Sequence, residues 1–298
     1  MMNPTLPVLT STFARRLFLF LLLTFAGLLV ATFAMGIITV GGQSTVRLRI
    51  ATVIQDICVF IAPACMVASM VTSRPDRLLE VDRGFSPGML IAAVSVMVVS
   101  IPAMNALVDW NAGLSLPASM GALESWMRSA EQSAGQAVMM MLGDTSPASL
   151  LISLLIVGVL AGVSEELFFR GALQRLLSSG PLGPHASIWI AAFVFSFFHM
   201  QFFGFFPRLV LGAFFGYLLY WSGSLWLPVT IHALNNAVVV IGSWQDRLAG
   251  GDGTAPELNS VGSGSPVWII ISCLLTAVAL WWVSSCGGRG RKDCQTHV

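Results

Sequence analysis

Charge is what this 298-residue chain has least of: Asp, Glu, Lys and Arg make up 10% of it, against about 25% in an ordinary soluble domain. With 56% hydrophobic residues and a mean hydropathy of +0.82, the composition excludes a soluble globular protein and calls for a polytopic membrane protein. Fifteen basic residues stand against fourteen acidic ones. That balance excludes the basic footprint of a nucleic-acid binder. The five cysteines, Cys58, Cys65, Cys273, Cys286 and Cys294, form no CxxC pair, which removes a zinc ribbon or a disulfide framework. Cys294 is fifth from the end, so the chain carries no terminal prenylation box. The helical zincin pattern HExxH is absent. No A-x-A site follows the first apolar run, Leu17 to Val40. That run exceeds the roughly 7–15 residues of a signal-peptide core, so it reads as a retained first span. There is no internal repeat and no soluble second domain.

What the chain does have is long apolar stretches. A bilayer core takes about 20 residues of helix. Eight stretches meet or approach that length, at approximately 17–40, 50–73, 87–109, 149–170, 186–204, 206–222, 225–243 and 266–284. The expected fold is therefore an all-α transmembrane helix bundle of about eight spans. The fourth stretch can continue as helix to about Leu177. It would then be about 43 Å long and would tilt or project from the bilayer. Tracing eight spans from a cytoplasmic N-terminus puts ten Lys and Arg residues inside and five outside. Those inside are Arg15, Arg16, Arg74, Arg77, Arg83, Arg170, Arg175, Arg289, Arg291 and Lys292. This bias places both termini in the cytoplasm.

Three regions follow. Residues 1–147 hold the N-terminal spans and an external loop, 148–243 the chemistry-bearing core, and 244–298 a polar loop, the last span and a cytoplasmic tail. Within 110–148, Met120, Leu123, Trp126, Met127 and Ala130 recur at helical spacing among Glu124, Arg128 and Glu131. The segment reads equally as an interfacial amphipathic helix or as a mobile external loop. The stretch 244–265 is rich in Gly, Ser, Asp and Pro and reads as loop. The tail after Ser285 reads as polar and disordered.

Three polar clusters interrupt the apolar core. Glu165-Glu166-Leu167-Phe168-Phe169-Arg170 follows a charge-free run from Leu150 to Val163. Ionisable residues inside a membrane are costly and mark functional sites. Neighbours on a helix point about 100° apart, so the two glutamates serve different tasks. Glu166 shares a face with Arg170 and can pair with it. Glu165 is left without a local partner and suits general-base work. The second cluster is Phe195-x-x-x-His199, and the third is His232-x-x-x-Asn236. His232 and Asn236 share one helical face and supply an imidazole N–H and an amide NH₂, donors suited to a developing oxyanion. No serine or cysteine in these clusters has an activating partner, which leaves water as the nucleophile. Gly158-x-x-x-Gly162 and Gly212-x-x-x-Gly216 would let helix backbones approach closely.

These clusters, in this order, resemble the CPBP family, the CAAX proteases and bacteriocin-processing enzymes also called Abi proteins. The family pattern EExxxR, FxxxH, HxxxN is met at every position, and the approach Trp221-Ser222-Gly223-Ser224-Leu225-Trp226-Leu227-Pro228 is similar too. The resemblance covers about residues 148–243. It implies an intramembrane endopeptidase acting on membrane-associated proteins or peptides, with membrane lipid as its surroundings. By position, Glu165 would activate water with help from His199. His232 and Asn236 would form the oxyanion hole, Glu166 and Arg170 would support the site, and Phe195 would pack behind it. No cofactor is expected. Relatives are often labelled metalloproteases, and Glu165, His199 and His232 are the donors a zinc ion would find. Loops and tail resemble bacterial members, which implies a bacterial cytoplasmic membrane. Two other readings use the same residues: a proton-coupled transporter with Glu165, Glu166, the histidines and Asp56 as a relay, and a non-catalytic immunity or scaffold protein.

Overall fold

Serine and proline set where the helices begin. In the computed structural model, which describes residues 12–254 and 260–287, Ser44, Ser86 and Ser146 each accept a hydrogen bond from the backbone N–H three residues on. They thereby satisfy amide groups the first helical turn leaves unpaired. Proline occupies the first turn at Pro87, Pro102, Pro147 and Pro184, where its missing N–H costs nothing. The resulting elements are α1 (Phe13–Ile38), α2 (Thr45–Val71), α3 (Pro87–Val99), α4 (Ile101–Ala112), α5 (Gly121–Leu142), α6 (Pro147–Ser178), α7 (Pro184–Phe198), α8 (Phe205–Ser222), α9 (Trp226–Leu248) and α10 (Pro266–Gly287). Among the described residues no strand forms.

Six of these helices, α1, α2, α6, α8, α9 and α10, are long and apolar enough to cross a membrane. The α3–α4 pair makes a seventh if its 49° bend is counted as one broken span. The bend falls at Pro102, which cannot donate to the preceding turn and crowds its carbonyl. The fifth expected stretch, 186–204, is shorter than the sequence suggests. α7 stops at Phe198 after 15 residues, about 22 Å. α6 goes the other way, running unbroken over 32 residues, about 48 Å of helix. α9 continues to Leu248, so residues 244–248 are helix rather than loop. α10 runs to Gly287, two residues past the expected start of the tail. Arg289, Arg291, Lys292 and Cys294 lie outside the described residues.

The chain is an integral, multi-pass membrane protein. Large apolar side chains face outward along the long helices, including Phe33 of α1 at 73% exposure and Trp281 of α10 at 69%. In water such a surface would aggregate, whereas in lipid it meets its own kind. The polar residues turn inward. α6 is the central helix, packing against α2, α7, α8 and α9, while α1 covers α2 and α10 covers α3.

The segment 110–148 contains a true amphipathic helix, α5. It is fastened at both ends. Near its start, Arg128 bonds Glu124 at 2.7 Å and stacks on Phe203 at 4.0 Å. The hydrogen bond from Arg128 holds the Glu124 carboxyl below the usual carboxylate range, helped by the backbone N–H of Leu116. At its end, Arg49 of α2 donates to the carbonyls of Met141 and Leu142, and Arg247 of α9 donates to those of Met139 and Gly143. Cations at a helix C-terminus satisfy orphan carbonyls and offset the dipole.

Between α1 and α2 the backbones meet at Gly27, where a Cβ would collide with the carbonyl oxygen of Cys58 in the π-helical turn Asp56–Ile61. Gly36, on the same helix, faces open space. Gly27→Ala should therefore destabilise the protein by about 1–3 kcal/mol through overpacking. Gly36→Ala should be neutral or mildly stabilising, within about 1 kcal/mol. Thermal unfolding of the two purified variants in one detergent checks the contrast.

Candidate functional site

The site is built around a guanidinium removed entirely from solvent. Arg170 lies in the π-helical stretch Leu167–Gln174 of α6, 0% exposed. An unpaired charge there would cost several kcal/mol. Its Nη1 donates to Glu166 Oε1 at 2.7 Å, and its Nη2 donates to the Gly212 carbonyl of α8 at 2.9 Å. Aromatic faces enclose it: its Cζ is 4.5 Å from the Phe195 ring centre and 5.3 Å from that of Phe215. A cation over such faces gains from the ring quadrupole. Gly212 has no side chain because Phe195 and Ala192 of α7 occupy that space.

Glu166, also fully buried, has a second duty. Its Oε1 accepts from His232 Nδ1 of α9 at 2.8 Å. Phe215 stacks on the His232 ring at 4.8 Å between centroids, and Phe195 meets it edge-on at 5.9 Å. With the Nδ1 proton given to a carboxylate, the other ring nitrogen points onward. His232 Nε2 lies 3.8 Å from Glu165 Oε2. Glu165 keeps 16% of its side chain exposed, and its Oε2 has no hydrogen-bond partner. The adjacent glutamates therefore grip opposite sides of one imidazole, one in direct contact and one across a gap.

His199 caps the end of α7. Its Nδ1 contacts the Phe195 carbonyl oxygen at 2.8 Å. Since that oxygen only accepts, Nδ1 carries the proton and Nε2 is left as an acceptor. The ring packs on Phe195 at 4.9 Å and lies within electrostatic reach of both Glu165 and His232. Asn236, one turn beyond His232, donates from Nδ2 to the Val157 carbonyl at 3.0 Å. Val157 sits in the π-helical stretch Leu154–Leu160 of α6, and such stretches recur at functional sites. Close contact here needs Gly162, where a Cβ would stand 3.2 Å from the backbone nitrogen of Ala233.

The structure thus gathers Glu165, Glu166, Arg170, Phe195, His199, His232 and Asn236 from three helices. Several supporting residues escape a reading of the sequence. Gln174, four residues past Arg170, donates to the Gly216 carbonyl at 3.1 Å. It repeats one turn later what Arg170 does at Gly212, and the matching four-residue spacings on α6 and α8 were its only signal. Asn111 of α4 bonds both the Phe202 carbonyl and the Phe206 N–H. Glu131 accepts from the Phe203 N–H, and Arg208 holds Gln201. Together these clamp the turn that carries His199, where Met200 adopts a left-handed φ of 52°. Asp56 of α2, 3% exposed, lies against Ser164 and close enough to Glu165 for the carboxylates to repel.

His232 Nδ1 is bonded to Glu166 and His199 Nδ1 to Phe195, so Nε2 of each ring is the nitrogen left to meet a metal ion. Among the described residues no three His, Cys, Asp or Glu side chains converge as a metal would require.

Residues 147–238 match a family described as type II CAAX prenyl endopeptidase Rce1-like. The matched stretch contains all three motifs, and it bears out the resemblance to the CPBP and CAAX proteases drawn from them. It supports a CAAX-type intramembrane protease in general terms. No curated protein and no solved structure matches the chain.

Burial of Arg170 and Glu166 makes their pairing testable. Arg170→Met should cost about 3–5 kcal/mol, because it strands a carboxylate in the core. Glu166→Gln with Arg170→Met should recover most of that loss, since no charge remains and the amide oxygen still accepts from His232. Thermal unfolding of single and double variants provides the comparison.

Proposed function

We propose that this chain is an intramembrane endopeptidase that hydrolyses peptide bonds of membrane-associated proteins or peptides with a water molecule activated by Glu165. The observation that carries this reading is the unpartnered Oε2 of Glu165, held 3.8 Å from His232 Nε2 inside the bundle. A carboxylate with a free oxygen, flanked by imidazoles, can take a proton from water. His199 Nε2, left as an acceptor, orients the second O–H of that water.

Attack of the water oxygen on the scissile carbonyl forms the C–O bond and moves one proton to Glu165. The developing oxyanion is met by donors from α9. Asn236 has one amide hydrogen left after bonding Val157. His232, whose Nδ1–H goes to Glu166, donates from Nε2 when it carries both ring protons. Donors already in place where charge develops need no reorganisation during the reaction. Collapse of the tetrahedral intermediate breaks the C–N bond, and the proton on Glu165 passes to the leaving amine. Every proton is accounted for without a metal.

The match to a CAAX prenyl endopeptidase family supports a substrate that is itself held at the membrane. With the short α7 counted as an eighth crossing beside the broken α3–α4 span, the excess of Lys and Arg on one side supports an orientation with both termini in the cytoplasm.

Glu165→Gln keeps size and hydrogen bonding but cannot accept the proton. It should lower cleavage of a reconstituted membrane-peptide substrate by at least about 10²-fold, with helix content and thermal midpoint unchanged. Full cleavage by this variant would sink the mechanism. Proton-coupled solute flux in vesicles, without cleavage by the wild type, would favour the carrier reading instead.

A further inference from the structure

α5 is 22 residues long, and Leu142 alone of its side chains is buried. A helix with so little buried apolar surface opens more easily than the core around it. Its two halves are held differently. The C-terminal end is the firmer one. Besides the carbonyls taken by Arg49 and Arg247, the Met140 carbonyl accepts from Thr45 at 3.0 Å. Thr52 Oγ1 meets Met141 Sδ at 3.1 Å. The N-terminal half rests on residues 202 and 203. Glu131 Oε2 accepts from the Phe203 N–H at 2.9 Å, Arg128 covers the Phe203 ring, and the Trp126 ring lies 5.5 Å from that of Phe202. The bonds from Arg128 to Glu124 and to the Leu114 carbonyl lie within residues 114–128 and would travel with them.

The two holds straddle the site. Residues 202 and 203 belong to the turn that carries His199. Thr52 is one turn of α2 before Asp56, the carboxylate beside Glu165. Arg208, bonded to Gln201 in the His199 turn, is within electrostatic reach of both Glu131 and Glu165. α5 therefore crosses from the His199 side of the site to the Asp56 side.

Between the holds the helix is weak. Gly135 lies in its interior, where a Cβ would meet nothing within 4 Å. No close packing calls for glycine there, and glycine costs a helix more backbone entropy than alanine. Ser133 bonds back to the Ser129 carbonyl at 2.9 Å, a pattern that bends helices. We infer that α5 is a lid over the Glu165 site, hinged around Gly135 and latched by Glu131 on the His199 turn. Undoing the latch swings residues 121–134 aside and admits substrate. Closing it seats His199 and excludes bulk water, as lids do when they complete a site. What the lid admits rests on the endopeptidase reading, whereas its cover over Glu165 does not.

Thiol labelling keeps the test apart from catalysis. The full chain carrying Glu165→Cys would be treated in detergent with a water-soluble maleimide. Modification at position 165 would be followed by peptide mass spectrometry, with the exposed native Cys65 as reference. Adding Glu131→Ala, which removes the latch, should speed labelling at least about tenfold, the worth of a hydrogen bond to a charged group. Adding Gly135→Ala should slow it at least about threefold and raise the thermal midpoint, because alanine stiffens the hinge. Misfolding cannot produce reduced access together with greater stability. Cys65 should label at the same rate in every variant. A rate at position 165 indifferent to Glu131→Ala or to Gly135→Ala would overturn the lid, even if the wild type cleaves a membrane peptide. Labelling that follows the latch and the hinge, with no cleavage by the wild type, would support the lid and overturn the endopeptidase reading.

Discussion

Burial of one guanidinium determines how four helices must meet. Arg170 is wholly enclosed, and the loss of its hydration is tolerable only because groups on α6, α7 and α8 together compensate for it. α6 supplies the Glu166 carboxylate, α8 the Gly212 carbonyl, and α7 and α8 the faces of Phe195 and Phe215. None of these suffices alone, and a displaced α8 would remove a hydrogen bond and an aromatic wall at once. Because Glu166 also accepts from His232, α9 is tied into the same network. In a bilayer the hydrophobic effect does not drive helices together, since lipid is as apolar as leucine. A charge that only the assembled bundle can satisfy provides that specificity.

The π-helical stretches of α2 and α6 follow from the same demand. A widened turn shifts the register of carbonyls, and in α6 the Val157 carbonyl is reached by Asn236. In α2 the stretch begins at Asp56 and brings that carboxylate beside Ser164 and Glu165. All three stretches face the polar centre of the bundle or the helix that carries it. Regular α-helix would have kept these backbone groups engaged within their own segment.

How much of this could be read in the chain depends on range. Properties of one helix were legible: the apolar stretches, the pairing of Glu166 with Arg170 four residues on, and the amphipathic face that became α5. The three motifs marked the helices that converge, and the family match over 147–238 falls on them. Properties set between helices were not legible. Hydropathy alone ran the fifth stretch through to residue 204, because Phe202, Phe203 and Phe205 are as apolar as the helix before them. What stops α7 at Phe198 is a clamp by Asn111 and Glu131, remote in sequence, together with Arg208 just downstream. The contact of His232 with Glu166 was hidden for the same reason, since 66 residues separate the partners.

The adjacent glutamates show what the bundle does with a local pattern. Two neighbouring carboxylates in a low-dielectric interior repel, and a single helix cannot separate them by more than its angular step. Here the repulsion is relieved unequally. Glu166 takes Arg170 and the Nδ1 side of His232, while Glu165 faces the Nε2 side across 3.8 Å and retains contact with solvent. The imidazole therefore lies between the two charges and interacts with each. Moving a proton onto Glu165 lowers the negative charge facing Nε2 without touching the Glu166 contact that fixes the ring. That division lets one carboxylate change its protonation while the other keeps the geometry, which is the requirement for the proposed water-activating role of Glu165.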